Sequence, residues 1–192
     1  FQTSHIWNSY YTAYAGPIGY YPGNHELLDL FAFFPFREDL LVNLINFPLF
    51  LALGVTLFSL ARLFGASEKA SLIAPVVFLF MPLIIRQGGI PQNDLFFLFT
   101  VSASLYFGIK NYFRNEWHLR TIFPLALCLG LFVGTKSSGI IYGSLIALPV
   151  LWSLWRYNRK VFIKNASFFI GIIFLSGGFW YFRNFVLTGN PL

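Results

Sequence analysis

Beyond residue 40 the chain alternates long apolar runs with short polar breaks. Six hydrophobic segments stand out, near 40–64, 70–85, 94–113, 121–135, 138–155 and 161–182. Most approach the ~20 residues that a helix needs to cross a ~30 Å hydrocarbon core, and two are shorter. The pattern predicts an all-α, polytopic transmembrane bundle of about six spans. The second segment carries Pro75 and Pro82. The third opens on "PQND", where Asn93 or Asp94 is the expected N-cap. Residues 1–39 form a polar, aromatic lead. Within it, "GYYPGNHELLDLFAFFPF" (19–36) predicts a short helix after a Pro-Gly turn, with Asn24 as its cap. Leu27, Leu28, Phe31 and Phe34 then share one face. So short a helix does not span; it is expected to lie in the outer interface.

One polar break is unusual. "FVGTKSSGIIYG" (132–143) holds Lys136, the only charged side chain between Thr121 and Trp155. A single helix over those 35 residues would be about 52 Å long, too long for the bilayer core. Glycine and serine at 134–139 instead predict a turn between two helices, with Lys136 at the membrane surface. A lysine there either snorkels to lipid headgroups or binds an anion.

Composition and charge agree with a membrane protein. The chain is 57% hydrophobic and 10% charged, whereas a soluble domain carries about 25% charged residues. The surplus apolar surface therefore faces lipid. Nine of the 13 basic residues (Arg62, Lys69, Lys110, Arg114, Arg120, Arg156, Arg159, Lys160 and Lys164) fall in one set of connections. The positive-inside rule assigns that set to the cytoplasm. The N-terminal segment, the 86–94 loop and the 134–138 loop then lie outside, on the plasma (inner) membrane. The net charge of +6 forms no patch that would suit nucleic acid. One cysteine and three scattered histidines make neither a disulfide frame nor a metal quartet. The chain opens on Phe1 with no signal-peptide pattern and closes on "TGNPL", so further sequence is expected on both sides.

The outer face collects the chemistry. Five of the seven acids (Glu26, Asp29, Glu38, Asp39 and Asp94) lie there, with His5, His25, Arg37, Arg86, Lys136 and Arg183. Glu26 and Asp29, at i and i+3, share a helical face; such a pair can hold a metal, act as a base, or simply be solvated. "GLFVGTKSS" lacks the ending and the preceding strand of a phosphate loop. "NAS" at Asn165 is a glycosylation sequon by letters only, since it lies at the cytoplasmic end. A transporter or flippase and a non-catalytic assembly subunit also fit this pattern. The transporter requires charge at mid-depth, of which there is almost none. The assembly subunit requires the outer acids to be dispensable.

Three stretches in order, "YYPGNHELLDLF", "PLIIRQGGIPQND" and "GLFVGTKSSG" followed by "RNFVLTGNPL", resemble the GT-C superfamily of membrane glycosyltransferases, in its protein-mannosyltransferase-like and aminoarabinose-transferase-like branch. The resemblance covers most of the chain. It implies an enzyme that moves a sugar, with inversion, from a polyprenyl-phosphate carrier to a glycan, lipid or protein acceptor at the outer face. It also implies a catalytic acid in a first outer loop, upstream of Phe1. It casts Asp94 and Glu26 as catalytic residues, with Lys136, Arg183 and Arg86 as ligands of the donor phosphate. His25, Tyr20, Tyr21 and Asn93 are then the residues around the substrate, where Tyr20, Tyr21 and Trp7 can also serve an interfacial aromatic belt. No cofactor is specified, and a divalent metal is compatible with the outer carboxylates.

Overall fold

A computed structural model describes residues 21–34, 39–90 and 92–191. The described residues are helical, without strands. Helices α1 (Asn24–Phe33) and α2 (Asp39–Leu44) precede α3 (Asn46–Leu63), α4 (Glu68–Leu79) and α5 (Pro82–Gly88). Then follow α6 (Asn93–Arg114), α7 (Leu119–Val133), α8 (Ser138–Tyr157), α9 (Phe162–Ile173) and α10 (Phe179–Thr188). A π-helical turn, Phe174–Gly178, fuses α9 and α10 into one rod of 27 residues.

The surface has the polarity of a protein immersed in lipid. Ile163 and Leu175 are 76% and 78% exposed, while Asn46, Thr100 and Ser104 are fully buried. Among the described residues, α3, α8 and the α9–α10 rod are each long and apolar enough to cross a bilayer. The α4–α5 pair qualifies only jointly, and it is bent by 76° where Pro82 opens the second helix. The residue before a proline is pushed out of the helical region, and Met81 is accordingly extended. Helix α7 has 15 residues and would reach about 22 Å, so it is tucked among neighbours. Its face of Ile122, Leu125, Leu129 and Phe132 is almost completely buried against α6, α8 and α9. A second cluster, Leu53, Leu79, Ile84 and Leu95, joins α3 to α4, α5 and α6.

Chain reversal occurs where the glycine-rich break predicts it. Helix α7 ends at Val133 and α8 begins at Ser138. Glycine is required here by close approach. A Cβ on Gly134 would stand 2.8 Å from Gly177 Cα and strike the Asn24 amide. One on Gly177 would strike the Gly130 carbonyl. The α7 terminus therefore lies directly on the π turn, a feature frequent at functional sites.

Two expected caps differ. Asn24 is the first residue of α1, not its cap; Gly23 precedes the helix. The Asn24 amide donates instead to the Ser176 and Leu131 carbonyls at 2.8 and 3.3 Å, and its oxygen accepts from Trp180 Nε1 at 2.8 Å. Three distant partners in a half-buried setting outweigh one local cap. Likewise Gln92, not Asn93 or Asp94, occupies the cap position of α6, without a side-chain cap bond. Both of those residues are turned to tertiary partners.

Candidate active site

The lead, the α5–α6 connection, the Gly134–Ser137 turn and α10 meet at one end of the bundle. The backbone N–H of Asn24 donates to the Gly134 carbonyl at 3.0 Å. Tyr181 donates its hydroxyl to the Val133 carbonyl at 2.7 Å, which ties α10 to the same turn. Between these elements lies a cavity of about 620 Å³. Tyr21, Pro22, Gly23 and Glu26 line it from the lead, Asn93 from α6, Thr135 to Ser138 from the turn and α8, and Trp180 and Arg183 from α10.

Two cations face this cavity from separate elements. Lys136 is ion-paired with Asp94, and both remain partly exposed, at 33% and 45%. Its ammonium also sits 5.6 Å from the centre of the Phe97 ring. Arg183 is buried. Its guanidinium lies 5.1 Å from the Trp180 ring and donates from Nε and Nη2 to Asn184 Oδ1 at 3.2 and 2.9 Å. Such a stack orients a guanidinium while keeping its charge.

The carboxylates are held apart. Gln87 Nε2 donates to Asp94 Oδ2 at 3.0 Å, and Asn93 Nδ2 donates to Glu26 Oε1 at 3.1 Å. Asp29 turns to His25 Nδ1 at 3.2 Å. Glu26 and Asp29, one turn apart, thus serve different partners. Among the described residues no three His, Cys, Asp or Glu side chains converge as a metal site.

Several sequence candidates converge here: Lys136, Arg183, Glu26, Asn93 and Tyr21 line the cavity, and Asp94 pairs with one of them. Arg86 is exposed and not among the lining residues. His25 is 1% exposed and lies behind the cavity, against Asn46 and Asp29. Tyr20, with Trp7, His5, Arg37 and Glu38, lies outside the described residues. Asn24, Asn46, Gln87, Trp180 and Tyr181 were not expected. Asn46 and Gln87 had a usable signal: each is a polar residue within or beside an apolar run, which inside a membrane protein marks a partner.

His25 carries the clearest titration outside the spans. Burial works against its charged form. Hydrogen bonds to Asp29 and Asn46, with the charges of Asp29 and Glu26, outweigh that, and the pKa is raised above its ordinary value. The stabilisation is fully present below the unfolded pKa of about 6.5 and is lost as pH rises through the higher folded value. Thermal unfolding in detergent is therefore expected to show wild type losing stability above that pH. A His25→Gln protein should show a flatter profile. Parallel profiles would refute the linkage.

The fold and site together define a polytopic helical membrane protein with a cationic and acidic cavity at one end. The model of the dolichyl-phosphate-mannose-protein mannosyltransferase family matches residues 5–192, and the chain belongs to that family. A curated relative, the GPI mannosyltransferase pigv-1 of Caenorhabditis elegans, is 28% identical over 100 residues. That match covers 50% of this chain and 15% of the relative. No solved structure matches the chain.

Proposed function

We propose that this chain carries part of the active site of a membrane glycosyltransferase that takes a sugar from a polyprenyl-phosphate donor. The observation that carries the reading is the single cavity lined by Lys136 and Arg183, with Glu26 on its wall and Asp94 beside it. A lipid-linked phosphate is an anion at the bilayer surface, and two cations from different elements suit it. Mannose is the sugar that the family's description favours. The acceptor is a glycan, lipid or protein. Residues 1–39 form the outer-face segment and 40–192 the membrane bundle. The cation-rich end faces the cytoplasm of a plasma-membrane protein, so the cavity opens outward.

The chemistry follows from the placement. The acceptor oxygen attacks the anomeric carbon, the bond from that carbon to the phosphate oxygen breaks, and the phosphate keeps the electron pair. Lys136 and Arg183 stabilise the charge that develops there. Asp94, released from Lys136 by the phosphate, orients the acceptor hydroxyl and takes its proton as the O–H bond breaks. Before donor binding Lys136 is engaged by Asp94, so the phosphate takes over an existing ion pair. Gln87 keeps the carboxylate in place when the lysine turns away.

The test is transfer by the full-length protein in vesicles, using labelled mannosyl polyprenyl phosphate and a membrane extract as acceptor. Label should pass into the acceptor fraction with release of polyprenyl phosphate. Movement of a labelled solute across the vesicle without covalent transfer would overturn the reading in favour of a transporter.

A further inference from the structure

Asn46, the first residue of α3, is fully buried at the site end of the bundle. Its amide nitrogen faces three main-chain carbonyls of the α5–α6 connection: Gln87 at 3.3 Å, Ile90 at 2.6 Å and Gln92 at 3.0 Å. One side chain thus holds a whole segment. The three carbonyls also settle which way the amide points, because the reverse orientation would set oxygen against oxygen. Asn46 Oδ1 must then accept, and its partner is His25 Nε2 at 3.0 Å. The other ring nitrogen faces Asp29 Oδ2 at 3.2 Å. With acceptors on both sides, the imidazole donates from both nitrogens. The charged groups facing it among the described residues are Glu26 and Asp29 of its own helix; α3 presents Asn46, and α6 presents the Phe96 ring at 5.8 Å.

The segment that Asn46 holds carries the chemistry at both ends. Gln87, at its start, donates to Asp94. Gln92, at its close, leads into Asn93, which reaches Glu26, and then into Asp94, which pairs with Lys136. A buried amide among apolar helices is costly unless each of its polar atoms is matched, and here each is. We propose that Asn46, oriented by His25, is a positioning residue that sets the 87–92 connection and thereby places Asp94 opposite Lys136 and Asn93 against Glu26. Neither Asn46 nor His25 touches the cavity. The inference rests on the glycosyltransferase reading for its effect on rate, but not for its effect on the loop.

The experiment compares wild type with Asn46→Asp, His25→Ala and His25→Gln in the full-length protein. Aspartate is isosteric with Asn46 but sets a carboxylate against three carbonyl oxygens. Displacing reacting groups by about 1 Å costs roughly 100-fold, so kcat of Asn46→Asp should fall by about that factor. Binding of polyprenyl phosphate to Lys136 and Arg183 should not weaken, and loosening of the Lys136–Asp94 pair should leave it equal to wild type or up to about 5-fold tighter. Amide exchange should quicken at 87–94 and stay slow in α7 and α8. His25→Ala should behave alike. His25→Gln, whose Nε2 can donate where the imidazole Nε2 does, should restore most of the loss. A purely structural role predicts instead that kcat, phosphate binding and exchange protection throughout the bundle fail together, and that result overturns the proposal. Slow exchange at 87–94 in Asn46→Asp overturns it too, whatever the activity. Wild type that neither binds the phosphate nor transfers sugar sinks the glycosyltransferase reading, and the exchange data then judge the clasp by themselves.

Discussion

Replacing Lys136 with Gln is expected to reduce transfer by about 100- to 1,000-fold, the effect of removing one preorganised stabiliser of a developing anion. The donor should also bind at least roughly tenfold more weakly, because a charge-assisted hydrogen bond is worth about 1.5–3 kcal/mol. Lys136 has no second cation beside it on its own turn; Arg183 approaches from α10 and is already engaged by Asn184 and Trp180. Arg183 therefore does not simply replace it. Arginine at 136 keeps the charge but brings a wide, planar fork to a turn packed against Gly177 and Asn24, so only partial rescue is expected. The measurement is steady-state transfer from mannosyl polyprenyl phosphate, with binding of polyprenyl phosphate measured separately. A Lys136→Gln protein with normal rate and affinity would return the residue to the role of a snorkelling interfacial lysine.

The Asp94→Asn protein should separate rate from affinity. On the proposed reading this carboxylate orients the acceptor, and its loss is expected to lower kcat by about 100-fold. Polyprenyl phosphate should nevertheless bind more tightly, because Lys136 no longer has to leave an ion pair to meet it. The pair is partly exposed, and exposed pairs are worth about 0.2–1 kcal/mol, so the gain should be roughly 1.5- to 5-fold. The two effects have opposite signs, and this distinguishes the proposal from general damage to the site. An Asp94→Asn protein that binds the phosphate more weakly than wild type would show that the ion pair supports the anion site rather than competing for it. A protein with both properties intact would favour an assembly role for the chain.

The residues expected to act on an anionic donor meet only in part. Lys136 and Arg183 stand 47 positions apart, on a turn and on the last helix, and face one cavity. Arg86 was the weaker candidate on physical grounds as well. It sits in the last turn of α5, where its charge complements the negative end of the helix, and it remains exposed. His25 was legible as a polar residue near the start of a short helix, but its role was not. Its partners Asn46 and Asp29 lie 21 and four positions away, and only the first depends on how α1 docks on α3.

By itself the sequence determined the class: six apolar segments with few charges dictate a helical membrane bundle, because backbone polar groups in lipid must be satisfied within helices. It also determined the break at Gly134–Ser137, since one unbroken helix would exceed the bilayer, and the uneven distribution of cations between the two ends. Those are properties of length, composition and periodicity. Tertiary structure alone decided what the polar side chains do. Asn24 reads locally as a cap, yet it bridges α7, the π turn and Trp180, because a buried amide takes the partners that packing brings to it. Asn46 reads as a stray polar residue in an apolar run, yet it gathers three carbonyls and an imidazole. Hydrogen bonds between distant elements leave no periodic trace in the chain; they arise only when helices pack closely enough to exclude water from the groups between them.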